Sequence, residues 1–398
     1  MVTRAPMRPI DHALVGLLVW GLAATSPAMT SVPEASKSEA ASQPGESGGV
    51  KPPLEHTALQ QLAQGQRVCV VAVATIKNRV VTGTEVAKGC ESAQEIGIDP
   101  VFQAASLGKP VFAYAVIKLA QQGRIDLDVP LVQYLPKGYD HVQNPGGDTP
   151  RIDAVTAPEL QSVTARMVLN HTSGLPNWSR GPLTFTFNPG ARWQYSGEGY
   201  VLLQAVVEAI TGMRLDVFMR EQVFEPLGMA HTDYAWGQHL EAGYVLGTTA
   251  RGKSLPSRHF RTPVAAFSLY TSAADYARFV VALLGDASVL RSTLDAPVSV
   301  EPGLGLGWGL GWGIETSEAA PGDPFIWHWG NNPGYRAFVM ASVRSGDGVV
   351  MLASGENGLA LAEPIVQTVL PGTHKTFRFS RIPNGFEHFV CRTLGLCF

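Results

Sequence analysis

The chain has 398 residues, of which 45% are hydrophobic and 16% are charged, and its formal net charge is −3. This length and composition predict a folded protein with a large core and exclude a chain that is disordered throughout. Lys and Arg do not cluster among aromatic residues, so no nucleic-acid partner is expected.

The N-terminal segment has the composition of an export signal. Arg4 and Arg8 precede an apolar run over residues 13–24, and small residues follow as far as Ala28. This order is typical of a secretory signal peptide, which we predict over residues 1–28, and it indicates an exported protein, periplasmic or extracellular. An uncleaved membrane anchor is the alternative, although the run is shorter than the roughly 20 residues that span a bilayer. Residues 29–56, rich in Ser, Glu, Ala, Pro and Gly, have the composition of a flexible linker.

Four cysteines, Cys69, Cys90, Cys391 and Cys397, are an even number in a chain predicted to be exported. An oxidising compartment favours disulfides, and four cysteines allow three sets of pairs. Proximity in sequence favours Cys69–Cys90, across an N-terminal hairpin, and Cys391–Cys397 in the tail. Free buried thiols are the alternative. No metal site is expected, because no C-x-x-C pair or His/Cys cluster with zinc spacing occurs.

The elements predicted in chain order place strands at both ends and helices between them. After a short helix at 59–63, residues 67–75 and 79–86 predict an antiparallel hairpin. Later elements are helices over 106–122, 201–210, 272–284 and 360–370, and strands over 312–315, 325–329, 335–343 and 349–353. We therefore predict an α/β (α+β) sandwich, in which an antiparallel sheet from both chain ends is flanked by helices. A mainly helical subdomain, about residues 124–265, is inserted in it.

Ser106-Leu107-Gly108-Lys109 is an S-x-x-K motif at the start of a predicted helix. Residues three apart share a helical face, so the amine of Lys109 can reach the hydroxyl of Ser106. A serine hydroxyl needs a base to become a nucleophile, and a lysine with its ordinary pKa is protonated at neutral pH. Burial would lower the pKa of Lys109 and make it that base. Alone the motif is weak, because a serine that caps a helix has the same spacing.

Two further segments accompany this motif. The triplet Y-S-G at 195–197 precedes a predicted helix, and H-W-G at 328–330 ends a predicted strand. With these motifs in this order, the chain resembles the serine β-lactamase and penicillin-recognising hydrolase superfamily, most closely its branch of class C β-lactamases, D-aminopeptidases and related esterases. The resemblance covers about residues 57–371, which it implies are one β-lactamase-like domain. It leaves residues 372–398 as a C-terminal extension.

The C-terminal extension carries several Phe and Arg residues. The sequence does not decide whether it docks on the domain, contacts a membrane or serves oligomerisation. Membrane contact therefore has no support from the sequence, and the oligomeric state stays open.

The resemblance implies a role for each motif residue. Ser106 matches the acylated nucleophile, Lys109 its basic partner, and Tyr195 the residue that relays protons to the leaving group and from the deacylating water. The backbone amides of Ser106 and Asn331 are expected to form the oxyanion hole. His328 stands where the family has its third-motif Lys or His, and the resemblance implies that it is a fourth catalytic residue. The adjoining substrate-binding positions are Gly197, Trp329 and Gly330. A small molecule or short peptide is the implied substrate, and no metal or organic cofactor is implied.

Two departures from the family pattern bear on the substrate. Gly197 stands where many relatives have an Asn whose amide binds the substrate and the catalytic Lys. His328 replaces a Lys, which weakens the fixed positive charge that would hold a substrate carboxylate near neutral pH. These departures favour esters or uncharged amides as substrates, with a β-lactamase or D-amino-acid-specific peptidase as the alternative.

Two other interpretations of the function of these residues remain open. Residues 104–108 resemble the G-x-S-x-G turn of α/β-hydrolases, with His328 as base and Asp275 as acid, although that fold needs alternating βα units before the serine. A non-catalytic, penicillin-binding-like sensor is the second.

Two other conspicuous segments are interpreted as structural. His171 is interpreted as part of a structural loop, and the Gly-rich stretch 307–312 as a bent strand edge.

Overall fold

The computed structural model describes residues 55–91, 95–145, 150–316 and 322–379, which contain nearly all of the predicted domain. The predicted signal peptide and almost all of the predicted linker lie outside the described residues. The same holds for the predicted Cys391–Cys397 pair.

Short strands and helices alternate along the chain. The strands are β1 (Val70–Lys77), β2 (Val80–Lys88), β3 (Phe102–Ala105), β4 (Asp140–Gln143), β5 (Arg151–Ala154), β6 (Leu269–Thr271), β7 (Val298–Glu301), β8 (Leu306–Trp308), β9 (Gly313–Thr316), β10 (Pro324–Asn332), β11 (Tyr335–Ser342) and β12 (Gly348–Ser354). The α-helices are α1 (His56–Gln66), α2 (Gly108–Gln121), α3 (Ala165–Leu169), α4 (Glu198–Thr211), α5 (Leu215–Met219), α6 (Gln238–Glu241), α7 (Ala273–Gly285), α8 (Ala287–Leu294) and α9 (Ala362–Val369). Among the described residues, none of these helices is long and apolar enough to cross a membrane.

The main sheet joins the two ends of the domain. Its strand order is β2-β1-β12-β11-β10-β9-β8-β7, and every neighbouring pair is antiparallel. The first strand pairs with the last, with Val70 opposite Ser354. The predicted antiparallel sheet from both chain ends is therefore confirmed. Between β3 and β6 the chain forms α2 to α6 and the small β4–β5 hairpin.

Helices cover both faces of this sheet, because successive side chains of a strand point to opposite faces. Val70 and Ala72 of β1 belong to a core that includes apolar residues of α2, α4 and α7. Val71 and Val73 belong to a second core, shared with α1 and α9. The result is a layered sandwich in which α2 lies buried between the sheet and the inserted helical region.

Local sequence signals explain several element boundaries. Helix α7 begins after Ser272, whose hydroxyl accepts a hydrogen bond from the amide of Asp275 at 3.2 Å, as an N-cap does. Helix α4 ends at Gly212, whose φ of 71° is a left-handed conformation that glycine adopts without strain. The strands β3 and β6 were not predicted, since runs of four and three buried residues carry no alternation of polar and apolar side chains.

The N-terminal hairpin is closed by a disulfide. Cys69 lies directly before β1 and Cys90 shortly after β2, and the two sulfurs are bonded. The pairing that proximity favoured is the one present in the structure.

The first part of the C-terminal extension docks on the domain. The carboxylate of Glu315 on β9 is buried and accepts hydrogen bonds from the backbone amide and the hydroxyl of Thr376, at 2.8 and 2.5 Å. The Phe379 ring packs against Trp327 and Trp329, with centroids 5.5 and 5.8 Å away. Docking is thus the role that the described part of the extension plays, and the rest of it lies outside the described residues.

Candidate active site

The serine of the S-x-x-K motif sits in a tight turn between β3 and α2. Ala105, the last residue of β3, has a φ of 52°, which an L-residue adopts at a cost and which reverses the chain direction. Gly108 begins α2 where a Cβ would lie 2.9 Å from the ring of Tyr234. The strained alanine and the close approach at the glycine together project Ser106 from the end of the strand into a cavity.

Lys109 lies in the first turn of α2 with its side chain buried. Its Nζ donates hydrogen bonds to Oγ of Ser106 at 3.0 Å and to the carbonyl of Ala266 at 2.6 Å. The same Nζ lies 4.8 Å from the ring centroid of Tyr195 and 5.6 Å from that of Tyr200. Burial lowers the pKa of Lys109 from 10.5 to about 7, because the charged form loses its hydration. A large share of this amine is therefore neutral at neutral pH, as a base must be.

Tyr195 is held beside Lys109 by the loop that contains His171. The His171 ring is fully buried, its Nδ1 accepts a hydrogen bond from the amide of Ser196 at 3.1 Å, and its centroid lies 4.4 Å from that of Tyr195. These contacts fix the Tyr195 turn, so His171 has the structural position that the sequence indicated.

Strand β10 places the H-W-G motif, residues 328–330, next to the β3–α2 turn that holds Ser106. A Cβ on Gly330 would lie 2.2 Å from the carbonyl oxygen of Ala104, so only a glycine lets β10 pass this close to β3. Asn331 follows it and lines the same cavity as Ser106. The two residues predicted to supply the oxyanion-hole amides are thereby placed around one space.

His328 does not line this cavity, whereas its neighbour Trp329 does. Adjacent residues of a strand point to opposite faces, and the His328 side chain is fully buried with Nδ1 at 2.8 Å from the carbonyl of Trp329. Its Nε2 has no hydrogen-bond partner among the described residues. Burial, and then the charge of Lys109, lower the pKa of His328 to about 3. The His328 ring is therefore neutral at neutral pH, and its centroid lies 6.2 Å from that of Tyr195, so its catalytic role stays a prediction for a residue buried beside the reacting groups.

Gly197 occupies a position that has no room for a side chain. A Cβ there would lie 2.6 Å from the carbonyl oxygen of Asn177 and 2.7 Å from the ring of Trp178. The amide of Gly197 donates to the same Asn177 carbonyl at 3.1 Å. The space that an Asn side chain would need is thus taken by residues of a preceding loop.

The cavity in front of Ser106 has a volume of about 1000 Å³. Its walls combine the reacting groups with a large aromatic surface, formed by Trp178, Phe260, Phe267 and Trp329. Two exposed arginines, Arg180 and Arg258, also line it, and none of its described lining residues is acidic. Of this aromatic surface only Trp329 was predicted. Trp178, Phe260, Phe267 and the Ala266 carbonyl were not, because no local motif distinguishes these residues in the sequence.

Asp275 does not form a triad with His328. Its carboxylate accepts a hydrogen bond from the backbone amide of His231 at 2.7 Å and pairs with Arg278. The side chains of Asp99, His231 and Asp275 form a cluster whose oxygen and nitrogen atoms lie within 4.8 Å of one another, but Arg278 already pairs with Asp275 there. The antiparallel sheet also lacks the βα units of an α/β-hydrolase, so that alternative is excluded.

Comparison with known proteins agrees with this geometry. The model of the Beta-lactamase family matches residues 54–367. The chain belongs to the Beta-lactamase family. The predicted family and fold class are thus confirmed.

Its relatives in the family include proteins of different activities. Penicillin-binding protein 4* of Bacillus subtilis is 24% identical over 308 residues, 67% of this chain and 63% of that protein. Esterase EstB of Burkholderia gladioli is 28% identical over 315 residues, 63% of this chain and 76% of that protein. This chain thus spans just under two thirds of the length of penicillin-binding protein 4* and about three quarters of the length of Esterase EstB.

The fold is shared with solved structures. D-alanine carboxypeptidase AmpC from Burkholderia cenocepacia superposes with a TM-score of 0.63 at 19% identity, over 78% of this chain and 96% of that one. At this sequence identity the superposition shows a shared fold only. The substrate has to be inferred from the site of this chain.

Proposed function

We propose that this protein hydrolyses esters or uncharged amides through an acyl-enzyme formed on Ser106. The observation that carries the proposal is the buried amine of Lys109, 3.0 Å from Oγ of Ser106 and with a pKa of about 7. A lysine in this state accepts the serine proton, which an ordinary surface lysine does not.

In the proposed reaction, neutral Lys109 takes the hydroxyl proton while Oγ of Ser106 attacks the carbonyl carbon of the substrate. The backbone amides of Ser106 and Asn331 stabilise the oxyanion. When the tetrahedral intermediate collapses, its bond to the leaving group breaks, and Tyr195 relays the proton from Lys109 so that an alcohol or amine departs. Water then attacks the acyl carbon, its proton returns through Tyr195 and Lys109 to Ser106, and the acid leaves.

The preference for esters or uncharged amides rests on two features of the site. His328 is buried and has a pKa of about 3, so it supplies no positive charge near neutral pH for a carboxylate beside the scissile bond. Gly197 offers no side-chain amide to a peptide substrate, and its surroundings leave no room for one. Both features weaken the recognition of D-alanyl peptides and β-lactams, which carry that carboxylate.

The test is the turnover of p-nitrophenyl acetate beside that of a chromogenic cephalosporin, with purified protein and its Ser106→Ala variant. We expect ester hydrolysis that Ser106→Ala abolishes and little cephalosporin turnover. Fast cephalosporin turnover would contradict the substrate preference and make the protein a β-lactamase. No turnover of either substrate, together with no labelling by a fluorophosphonate, would favour a non-catalytic sensor.

The proposed site of action is outside the cytoplasm, in the periplasm or the extracellular space. The support is the signal-like composition of residues 1–28 and the Cys69–Cys90 disulfide, which persists in oxidising compartments. Expression of the full chain in a Gram-negative host, followed by fractionation and N-terminal sequencing, tests this. We expect periplasmic or secreted protein that begins near residue 29, and uncleaved cytoplasmic protein would refute it.

A further inference from the structure

We propose that Trp178, Phe267 and Phe260 form an aromatic subsite that binds an aryl or broad apolar acyl group of the substrate. This inference rests on the proposed hydrolysis through Ser106 and names the substrate class: esters or amides of aryl-substituted acids. We call the three rings the aromatic wall.

The aromatic wall is a continuous surface of the cavity. The rings of Trp178 and Phe267 meet edge to face with centroids 5.3 Å apart, and Phe267 meets Phe260 in the same way at 5.1 Å. All three residues line the cavity that Ser106 opens into. A row of aromatic faces and edges favours a flat apolar group, because such groups gain both buried area and ring contacts.

The exposure of Trp178 distinguishes it from ordinary surface apolar residues. Among the described residues, four large hydrophobic side chains are exposed, and Trp178, at 42%, is the one of these that lines the cavity. An indole exposed inside a concave site costs solvation free energy unless a ligand covers it. The rest of the wall is buried or half-buried, so Trp178 is the member with most surface left for a ligand.

The aromatic wall is tied directly to the reacting groups. Phe267 follows Ala266, whose carbonyl oxygen lies 2.6 Å from Nζ of Lys109 and 3.4 Å from Oγ of Ser106. The backbone carbonyl of Phe267 itself accepts a hydrogen bond from the side-chain Nδ2 of Asn332 at 3.3 Å. A group lying on Phe267 is therefore next to the nucleophile, whereas Tyr195 packs against Trp329, 5.1 Å away, on β10. The acyl group is the part of the substrate that becomes bonded to Ser106, so we assign it to the wall beside that serine.

The glycine at 197 is what allows the wall to form. A Cβ at this position would approach ring atoms of Trp178 to 2.7 and 2.8 Å, so any larger residue displaces the indole. In this chain, stacking on Trp178 thus replaces the hydrogen bond that an Asn at 197 would offer to a substrate amide. Trp178 and Gly197 act as one specificity-determining pair.

The main experiment compares p-nitrophenyl phenylacetate with p-nitrophenyl acetate, since the two esters share a leaving group and differ only in the acyl group. We expect Trp178→Ala to lower the ratio of kcat/KM for the phenylacetate to kcat/KM for the acetate by about tenfold or more. Trp178→Phe should retain most of the preference. The control is Val80→Ala, which removes an exposed apolar side chain on β2, four strands away from β10 in the sheet. Equal losses on both esters would overturn the subsite.

A binding measurement separates this proposal from the proposed hydrolysis. Calorimetry measures the binding of neutral phenylacetamide to Ser106→Ala and to the double variant Ser106→Ala/Trp178→Ala. This measurement does not depend on turnover. We expect affinity to fall with Trp178→Ala by about tenfold even if neither ester is hydrolysed. Unchanged affinity would refute the aromatic wall whatever the outcome of the ester assay.

Discussion

Lys109 acts as a base only in its neutral form, and its environment sets the pH at which that form appears. Burial lowers its pKa to about 7, while the carbonyl of Ala266 holds Nζ 3.0 Å from Oγ of Ser106. The neutral amine is therefore scarce well below pH 7 and predominates well above it.

This environment predicts the pH dependence of the reaction. We expect kcat/KM for p-nitrophenyl acetate to rise with pH, with an apparent pKa near 7, and to level off above it. Lys109→Arg places a permanently protonated guanidinium at the site and should lower kcat/KM by roughly 10²–10⁴. A pH–rate profile of both proteins, with circular dichroism to verify folding, is the measurement. A wild-type profile that is flat across neutral pH would rule out Lys109 as the base.

At the residue scale, the sequence predicts the groups that react better than the groups that support them. The spacing of Ser106 and Lys109 predicts their contact, because residues three apart meet on a helix. The carbonyl of Ala266 is a generic backbone group far along the chain, so no motif indicates it. The full burial of His328 also escapes prediction, since it depends on how the tertiary fold packs around β10.

At the scale of elements, the β1–β2 hairpin lies at one edge of the main sheet. Strand β1 pairs with β12, whereas β2 pairs with β1 and ends the sheet. The Cys69–Cys90 disulfide ties the two ends of the hairpin across a sequence separation of 21 residues. Closing a loop of this length restricts the unfolded chain and stabilises the folded one.

We expect the double variant Cys69→Ala/Cys90→Ala to lose about 3 kcal/mol of free energy of unfolding. The active site lies around β3, β10 and α2, so the ester activity of the folded double variant should match that of the parent. Urea unfolding and initial rates on the same preparations measure both quantities. Reduction of the wild-type protein is the matched control, and an unchanged midpoint after reduction would count against the disulfide as a stabiliser.

Long periodic elements could be predicted from the sequence, and short buried ones could not. The N-terminal hairpin has two runs of apolar and β-branched residues, and α7 has a cap and helical spacing. The structure has both within a few residues of the prediction. Strands β3 and β6 are buried and contribute three or four residues each, so their pairing depends on the tertiary fold.

At the scale of the whole molecule, the C-terminal extension reaches the back of the active site. The buried carboxylate of Glu315 accepts hydrogen bonds from the backbone amides of residues 375 and 376, and the ring of Phe379 meets that of Trp329, a cavity-lining residue, edge to face. The sequence left docking, membrane contact and oligomerisation open, because the extension lies beyond the family pattern and its Phe residues suit any of the three.

A pair of truncations tests what this docking contributes. Removal of residues 372–398 takes away these hydrogen-bond donors and the contact between Phe379 and Trp329. We expect a loss of about 1–3 kcal/mol of free energy of unfolding from the hydrogen bonds to the carboxylate, with the lost apolar contact in addition. Removal of residues 380–398 retains all of those contacts and serves as the control. Thermal unfolding and ester kinetics of both proteins should show a lower Tm and a lower kcat/KM for the longer truncation. Two truncations that behave alike would mean that the docked segment does not support the site.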